Sequence, residues 1–182
     1  MPFELQPTLR GNLVELRPLS LEDFKALYAV ASDPLIWEQH PERERYREEV
    51  FRRFFREAME SGGAFLILDR SSGKVVGSTR YFGYQPEQSE IEIGWTFLAR
   101  SHWGGRYNGE MKKLMLEHAF QFVAHVIFLV GPQNLRSRKA VEKIGGIERE
   151  TRVANGRESI VYEITADRFN AARRSDPQRA RE

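Results

Sequence analysis

The sequence predicts an α+β fold: a mixed, mostly antiparallel sheet flanked by about four helices. Two observations carry this. Short runs with two-residue alternation, the strand signature, are interspersed with stretches whose apolar residues recur at helical spacing. Their order is strand, two helices, three strands, helix, strand, helix, two strands, with one parallel step around the helix that opens near Glu110.

The elements follow in turn. Asn12 to Arg17 alternates apolar and polar and Pro18 ends it. Ser20 and Asp23 are spaced as a capping box, followed by Phe24, Leu27, Tyr28 and Ala31 at helical spacing until Asp33-Pro34. A second helix is predicted from Arg47 to Ser61, with a stripe of Val50, Phe51, Phe54, Phe55, Ala58 and Met59, closed by Gly62-Gly63. Ala64 to Asp69 and Val75 to Phe82 read as a hairpin. Ile91 to Leu98 is the next strand, with Ile91, Ile93, Trp95 and Phe97 expected on one face. A glycine-bearing loop, 100–109, leads to a helix carrying Met111, Leu114, Met115, His118, Phe122 and Val123. Val126 to Val130 is a buried strand, Asn134 opens a short helix that Gly145-Gly146 closes, and two last strands flank Asn155-Gly156, a strong hairpin turn. Residues 1–172 read as one domain and 173–182 as a polar, Arg-rich, flexible tail.

Composition narrows the function. A chain of 182 residues with 41% hydrophobic and 30% charged residues fits a globular protein that needs no disulfide or metal to fold. Lys plus Arg is 28 and Asp plus Glu is 26, so no general field draws nucleic acid. The absence of cysteine excludes thiol nucleophiles and zinc-thiolate sites. No apolar run is as long as a membrane span and the first ten residues lack a signal-peptide core, so the expected location is cytoplasmic. No Gly-x-Ser-x-Gly or His-Glu-x-x-His occurs, the scattered histidines suggest no metal, and His118 and His125 read as packing residues. Gly104 and Gly109 have P-loop spacing, but Glu110 stands where the phosphate-binding lysine must be.

One arrangement carries chemistry. The acidic strand Glu90-Ile91-Glu92-Ile93-Gly94-Trp95 leads into Trp103-Gly104-Gly105-Arg106-Tyr107-Asn108-Gly109 and then a helix. Backbone N–H groups at such a turn, with the positive end of a helix dipole, suit a pyrophosphate, and Arg106 and Arg100 add charge. A tight turn before a helix explains the glycines equally well. Asn134-Leu135-Arg136-Ser137 follows the next strand, where simple helix capping accounts for Asn134. If the two strands are parallel neighbours, both loops lie at the same end of the sheet, the end that ligands favour.

These pieces, with Asn12 to Pro18, Trp103-Gly104 before Glu110, and Asn134-x-x-Ser137 before Glu142-Lys143-Ile144-Gly145, resemble the GNAT superfamily of N-acetyltransferases, and within it the RimJ/RimL-like branch, over about Leu9 to Thr165. The resemblance implies acetyl-CoA as cofactor, released as CoA, and transfer of the acetyl group to a primary amine, a small molecule or a protein N-terminus, by direct attack. It implies that Trp103, Gly104, Gly105, Arg106, Tyr107, Asn108 and Gly109 hold the pyrophosphate. Trp95 and Phe97 belong to the strand that pairs with the pantetheine arm, and Asn134 and Ser137 lie near the thioester. The chain departs from the family pattern at Trp103, Arg106, Asn108 and Gly146, and Val141 stands where many members have a tyrosine acid, leaving Ser137 or water to protonate the thiolate.

Within that frame Glu92 is the expected general base, since an ammonium must lose a proton before it attacks. Glu90 is the reserve, and a plain surface glutamate is the alternative for Glu92. A backbone amide of the same strand would stabilise the oxyanion. Trp37, His40, Tyr81, Tyr84, Tyr162 and Glu90 are candidates to line the acceptor pocket, although such aromatics are more often core. No membrane partner is expected, a homodimer is possible, and nucleic acid is disfavoured. Two other functions compete: a non-catalytic GNAT-like module that binds CoA or another ligand, and a nucleic-acid-binding protein using the thin arginine patch of the tail.

Overall fold

The computed structural model describes residues 3–154 and 156–174. Its centre is an eight-stranded sheet of order β1-β2-β3-β4-β5-β6-β8-β7. The strands are β1 (Leu9–Arg10), β2 (Val14–Pro18), β3 (Ala64–Asp69), β4 (Val75–Gln85), β5 (Glu90–Leu98), β6 (His125–Val130), β7 (Ile147–Ala154) and β8 (Arg157–Thr165). Every neighbouring pair is antiparallel except β5 and β6, which are parallel. The helices are α1 (Phe24–Ala31), α2 (Glu48–Glu60), α3 (Arg106–Ala119), α4 (Leu135–Lys143) and α5 (Ala166–Arg174). The mixed, mostly antiparallel α+β architecture is the one the sequence predicts.

Two apolar layers sandwich the sheet. One joins Leu16, Phe65, Ile67, Ile91, Ile93 and Val126 to Met111 and Met115 of α3. The other joins Leu27 of α1 and Phe51, Phe54 and Phe55 of α2 to Leu66 and Phe97. The phenylalanine stripe of α2 is therefore buried as its spacing requires, and at ~25 cal/mol per Å2 each such ring contributes a few kcal/mol.

Three local expectations change. Helix α3 opens at Arg106 rather than near Glu110, because Gly104 and Gly105 take φ of 102° and 99° and complete the turn immediately before it. Phe122 and Val123 then fall beyond its end. Helix α5 has no counterpart in the sequence reading, since its one large apolar residue, Phe169, packed 5.3 Å from the Phe120 ring, gives no periodic stripe. Asn155 of the last turn, and 175–182 of the Arg-rich tail, lie outside the described residues.

The third change bears on the site. Ser78 pairs with Phe97 and Arg80 with Gly94, so Trp95 and Thr96 together face the single residue Thr79. This β-bulge resets the alternation, and Trp95 adopts φ 51°, rare for a side-chain-bearing residue. Ile91 and Ile93 point toward α3, whereas Trp95 and Phe97 point toward α1 and α2. The expected common face is thus broken, and Trp95 and Phe97 join the face that Glu92 occupies.

Candidate active site

Strands β5 and β6 pair only at Glu90, Ile91 and Glu92, opposite His125, Val126 and Ile127. From Ile93 onward the edge of β5 that faced β6 carries no strand among the described residues. Glu92 sits at this parting. A Cβ on Gly94 would lie 3.0 Å from Glu92 Oε1, so the carboxylate folds over the glycine. Burial pushes the Glu92 carboxyl up to about 7, against the pull of Arg152 and Arg80. A carboxylate poised near neutrality at an open strand edge is chemically a proton acceptor.

The glycine loop faces the same end of the sheet. No side chain caps α3, and the N–H groups of Arg106, Tyr107 and Asn108 have no acceptor within the helix. A Cβ on Gly104 would meet nothing within 4 Å, while one on Gly105 would lie 2.9 Å from Lys143 Nζ. An ammonium therefore stands beside the positive end of a 14-residue helix. Free N–H groups, open space above Gly104 and a nearby cation fit the diphosphate of a coenzyme, and the unpaired edge of β5 fits an amide-bearing arm.

Neighbouring side chains fix this loop. Trp103 Nε1 donates to Leu98 O at 3.0 Å, and the Arg136 guanidinium lies 4.1 Å from the Trp103 ring centroid. Arg136 also donates to Ile36 O, and its N–H donates to Gln39 Oε1, which ties α4 to the segment after α1. Tyr107 packs edge-on against His102 at 4.6 Å. Arg100 is engaged by Asp33 and is less available to an anion than the sequence suggests, whereas Arg106 is exposed. Glu110 points away from the loop: its carboxylate accepts the backbone N–H groups of Asn12, Leu13 and Val14 at 2.7–2.9 Å.

Asn134 is buried and its side-chain oxygen accepts the Ser137 N–H at 3.2 Å, so it caps α4; Ser137 is half-buried in the first turn. The remaining predicted pocket residues are scattered. Trp37 is buried and donates through Nε1 to Ala31 O at 2.7 Å. Tyr81 points into the layer beneath α3, where its hydroxyl donates to Met115 O. Tyr84 packs 5.2 Å from Phe3 on that same side. Glu90 is buried in an ion pair with Arg149 at 2.6 Å. The Tyr162 hydroxyl accepts from Arg138 and donates to Glu142, both at 2.9 Å. His40 accepts the Glu42 N–H, and burial beside Arg45 holds its imidazole down at about 3. None of these is brought to Glu92 by a hydrogen bond or ring contact. His118 and His125 are structural, engaging Glu4 O at 2.7 Å and Glu163 Oε1 at 2.8 Å.

Three basic residues near the site have no role in the sequence reading. Lys143 stands over Gly105. Lys112 is buried with Nζ donating to Thr96 Oγ1 at 2.6 Å, and burial brings it down to about 7. Arg80 is 3% exposed, opposite Gly94. Each looks like an ordinary surface cation in the sequence, since only the bulge and the packing of α3 and α4 reveal where it points.

Comparison with known proteins agrees with this geometry. No match was found among curated protein sequences. A GCN5-related N-acetyltransferase from Brucella melitensis superposes with a TM-score of 0.83 at 20% identity, covering 97% of this chain and 89% of that one. RimJ of Mycobacterium smegmatis, solved in complex with CoA-disulfide, gives 0.65 at 22% identity over 88% and 90%. A chimera of the spermidine N-acetyltransferase SpeG from Vibrio cholerae and hSSAT gives 0.67 at 14% identity over 87% and 99%. The family model described as an acetyltransferase (GNAT) domain matches residues 14–147. The bulged β5, its parting from β6 and the uncapped start of α3 all lie inside that matched stretch, and the chain belongs to the GNAT family of acetyl-CoA-dependent acetyltransferases.

Proposed function

We propose that this protein transfers the acetyl group of acetyl-CoA to a primary amine held on the α1/α2 face of β5, with Glu92 as the general base. The observation that carries the reading is the placement of the Glu92 carboxylate over Gly94, where β5 leaves β6.

When bound, acetyl-CoA supplies an activated acyl group as a thioester. The backbone N–H groups of Arg106, Tyr107 and Asn108 bind its diphosphate, with Lys143 and Arg106 adding charge. Gly104 and Gly105 leave room for the phosphates, and Tyr107 and Trp103 hold the loop in shape. The free edge of β5 from Ile93 to Leu98 orients the arm. The capped start of α4, with Asn134 and Ser137, closes the other side of the gap.

Glu92 takes one proton from the acceptor ammonium, directly or through one water. The free amine nitrogen would then form the C–N bond to the acetyl carbon as the C–S bond breaks, its second proton passing through Ser137 or water to the departing thiolate, so the products would be an N-acetyl amine, CoA and the one proton held by Glu92. A backbone N–H of the bulged stretch around Trp95 stabilises the oxyanion. Tyr81, Tyr162 and Glu90 have other partners and take no part in these steps.

Calorimetric titration with acetyl-CoA and CoA, followed by thiol release against a panel of amines and N-terminal peptides, tests the reading. Binding of both ligands and release with an acceptor support it. Failure to bind either would reduce the loop to a turn.

A further inference from the structure

Arg80 is the most conspicuous unexplained group in the molecule. It is 3% exposed, and its Nε and Nη2 atoms are buried without a hydrogen-bond partner among the described residues. No carboxylate lies within 4.0 Å of it among the described residues. Its guanidinium instead lies over aromatic faces, 4.5 Å from the Trp95 ring centroid and 5.7 Å from that of Phe54. Arg45 approaches the same Phe54 ring at 4.7 Å, and its one side-chain hydrogen-bonding contact among the described residues is with His40 Nε2 at 3.0 Å. Two other arginines whose charge reaches this region sit in ion pairs: Arg152 with Glu150 at 2.6 Å and Arg157 with Glu42 at 3.5 Å.

A buried guanidinium is normally paired, because leaving one uncompensated is strongly unfavourable. Glu57 and Glu92 lie close enough to act on Arg80 through space but do not bond it. Glu57 is exposed on α2, and Glu92 is the proposed base. Nε and Nη2 lie on one side of the guanidinium, the pair of donors with which arginine grips a carboxylate through two parallel bonds. Arg80 pairs with Gly94 across β4 and β5, and the Glu92 carboxylate covers that glycine. An amine at Glu92 therefore has its nearest substituents beside Arg80. The Trp95 ring, backed by the exposed Phe82 at 5.0 Å, is the cover that such a group would shift.

We propose that the acceptor is an amine carrying a carboxylate a few bonds from its nitrogen, which Arg80 binds directly with Arg45 adding positive charge behind it. This rests on the acetyl-transfer reading of the same site, and it names the acceptor's chemistry. The carboxylate belongs either to a free amino acid or to an acidic side chain next to a peptide N-terminus.

The test uses reaction products as probes on the CoA-saturated protein, with calorimetry as readout. N-acetylglycine is compared with N-acetylglycinamide, and N-acetyl-Gly-Asp-amide with N-acetyl-Gly-Asn-amide. The carboxylate member of one pair should bind about tenfold tighter or more, as expected for a charge-assisted bidentate contact. A gap in the first pair assigns an amino-acid acceptor, and a gap confined to the second assigns an acidic N-terminus. Arg80→Met should close the gap to within about twofold while CoA affinity is kept, and Arg80→Lys should retain part of it. Arg80→Lys also serves if the methionine variant does not fold. Equal affinity within both pairs, a gap that survives Arg80→Met, or no binding of any probe would overturn the proposal. Loss of CoA binding by the wild-type protein would instead overturn the acetyl-transfer reading, and the same pairs titrated without CoA still report on Arg80.

Discussion

The Glu92 carboxylate fills the space that a side chain on Gly94 would need, with Oε1 3.0 Å from the position of a Cβ there. Glycine at 94 thus allows a titratable group to lie flat on the strand at the parting of β5 and β6. A methyl group would push it away. Gly94→Ala is expected to lower kcat by about tenfold, about 1.4 kcal/mol in the barrier, with acetyl-CoA affinity kept. Steady-state kinetics alongside calorimetry separates the two effects.

Burial raises Glu92 to about 7 from an ordinary 4.5, so the folded protein holds a proton there that the unfolded chain has lost. Between those values the native state binds more protons, and stability therefore falls as pH rises from about 4.5 to about 7. Activity moves the other way, because the base works only when deprotonated. Rate profiles should show kcat/KM rising through pH of about 7, and denaturant titrations of Glu92→Gln should lose the corresponding slope in stability.

Lys112 shows the opposite sign. Its folded value of about 7 lies below the ordinary 10.5, so the unfolded chain binds more protons and stability rises with pH across that window. Lys112→Met should flatten this rise and stabilise the protein near neutrality by about 1–2 kcal/mol, since an apolar chain replaces a buried amine with one hydrogen bond. Urea unfolding at pH values on either side of the window measures it.

Gly105 combines φ 99° with a Cβ position 2.9 Å from Lys143 Nζ. Gly105→Ala should strain the turn, displace the ammonium and weaken acetyl-CoA about tenfold or more. Lys143→Ala should weaken it several-fold, with a loss that shrinks as salt rises. Calorimetry at low and high ionic strength distinguishes the two.

Glu110 accepts three backbone N–H groups, of Asn12 and Leu13 in the β1–β2 turn and of Val14 at the start of β2, from a helix almost a hundred residues further along. Glu110→Ala strands those donors and should cost about 2–3 kcal/mol in denaturant unfolding, as charge-assisted bonds of this kind do.

Much of the fold was legible because its signals are local. The Phe51-Phe54-Phe55 stripe, the alternation from Ile91 to Ile93 and the glycines after Ser61 each reflect a period or a φ requirement that neighbours in sequence decide. Glu92 and the 103–109 turn stand out in the sequence on signals of the same local kind, and their role as a site is the proposal made above. The bulge at Trp95 was not, because it depends on the register of β5 against β4, and it reversed the faces of Trp95 and Phe97. Arg80, Lys112 and Lys143 have no role in the sequence reading because a cation's burial is set by elements far away in the chain. For the candidate pocket aromatics, the sequence leaves a core and a pocket position open. Trp37, Tyr81 and Tyr84 proved to be packing residues, and Tyr162 bridges β8 to α4.

The most direct test of the central claim is the turnover of Glu92→Gln, measured as thiol release with an active acceptor, together with its acetyl-CoA affinity. Loss of a general base predicts a fall in kcat of about a hundredfold to ten-thousandfold with the dissociation constant for acetyl-CoA within about twofold of wild type. Turnover at the wild-type rate would contradict the account and leave Glu92 as a half-buried carboxylate without a catalytic role.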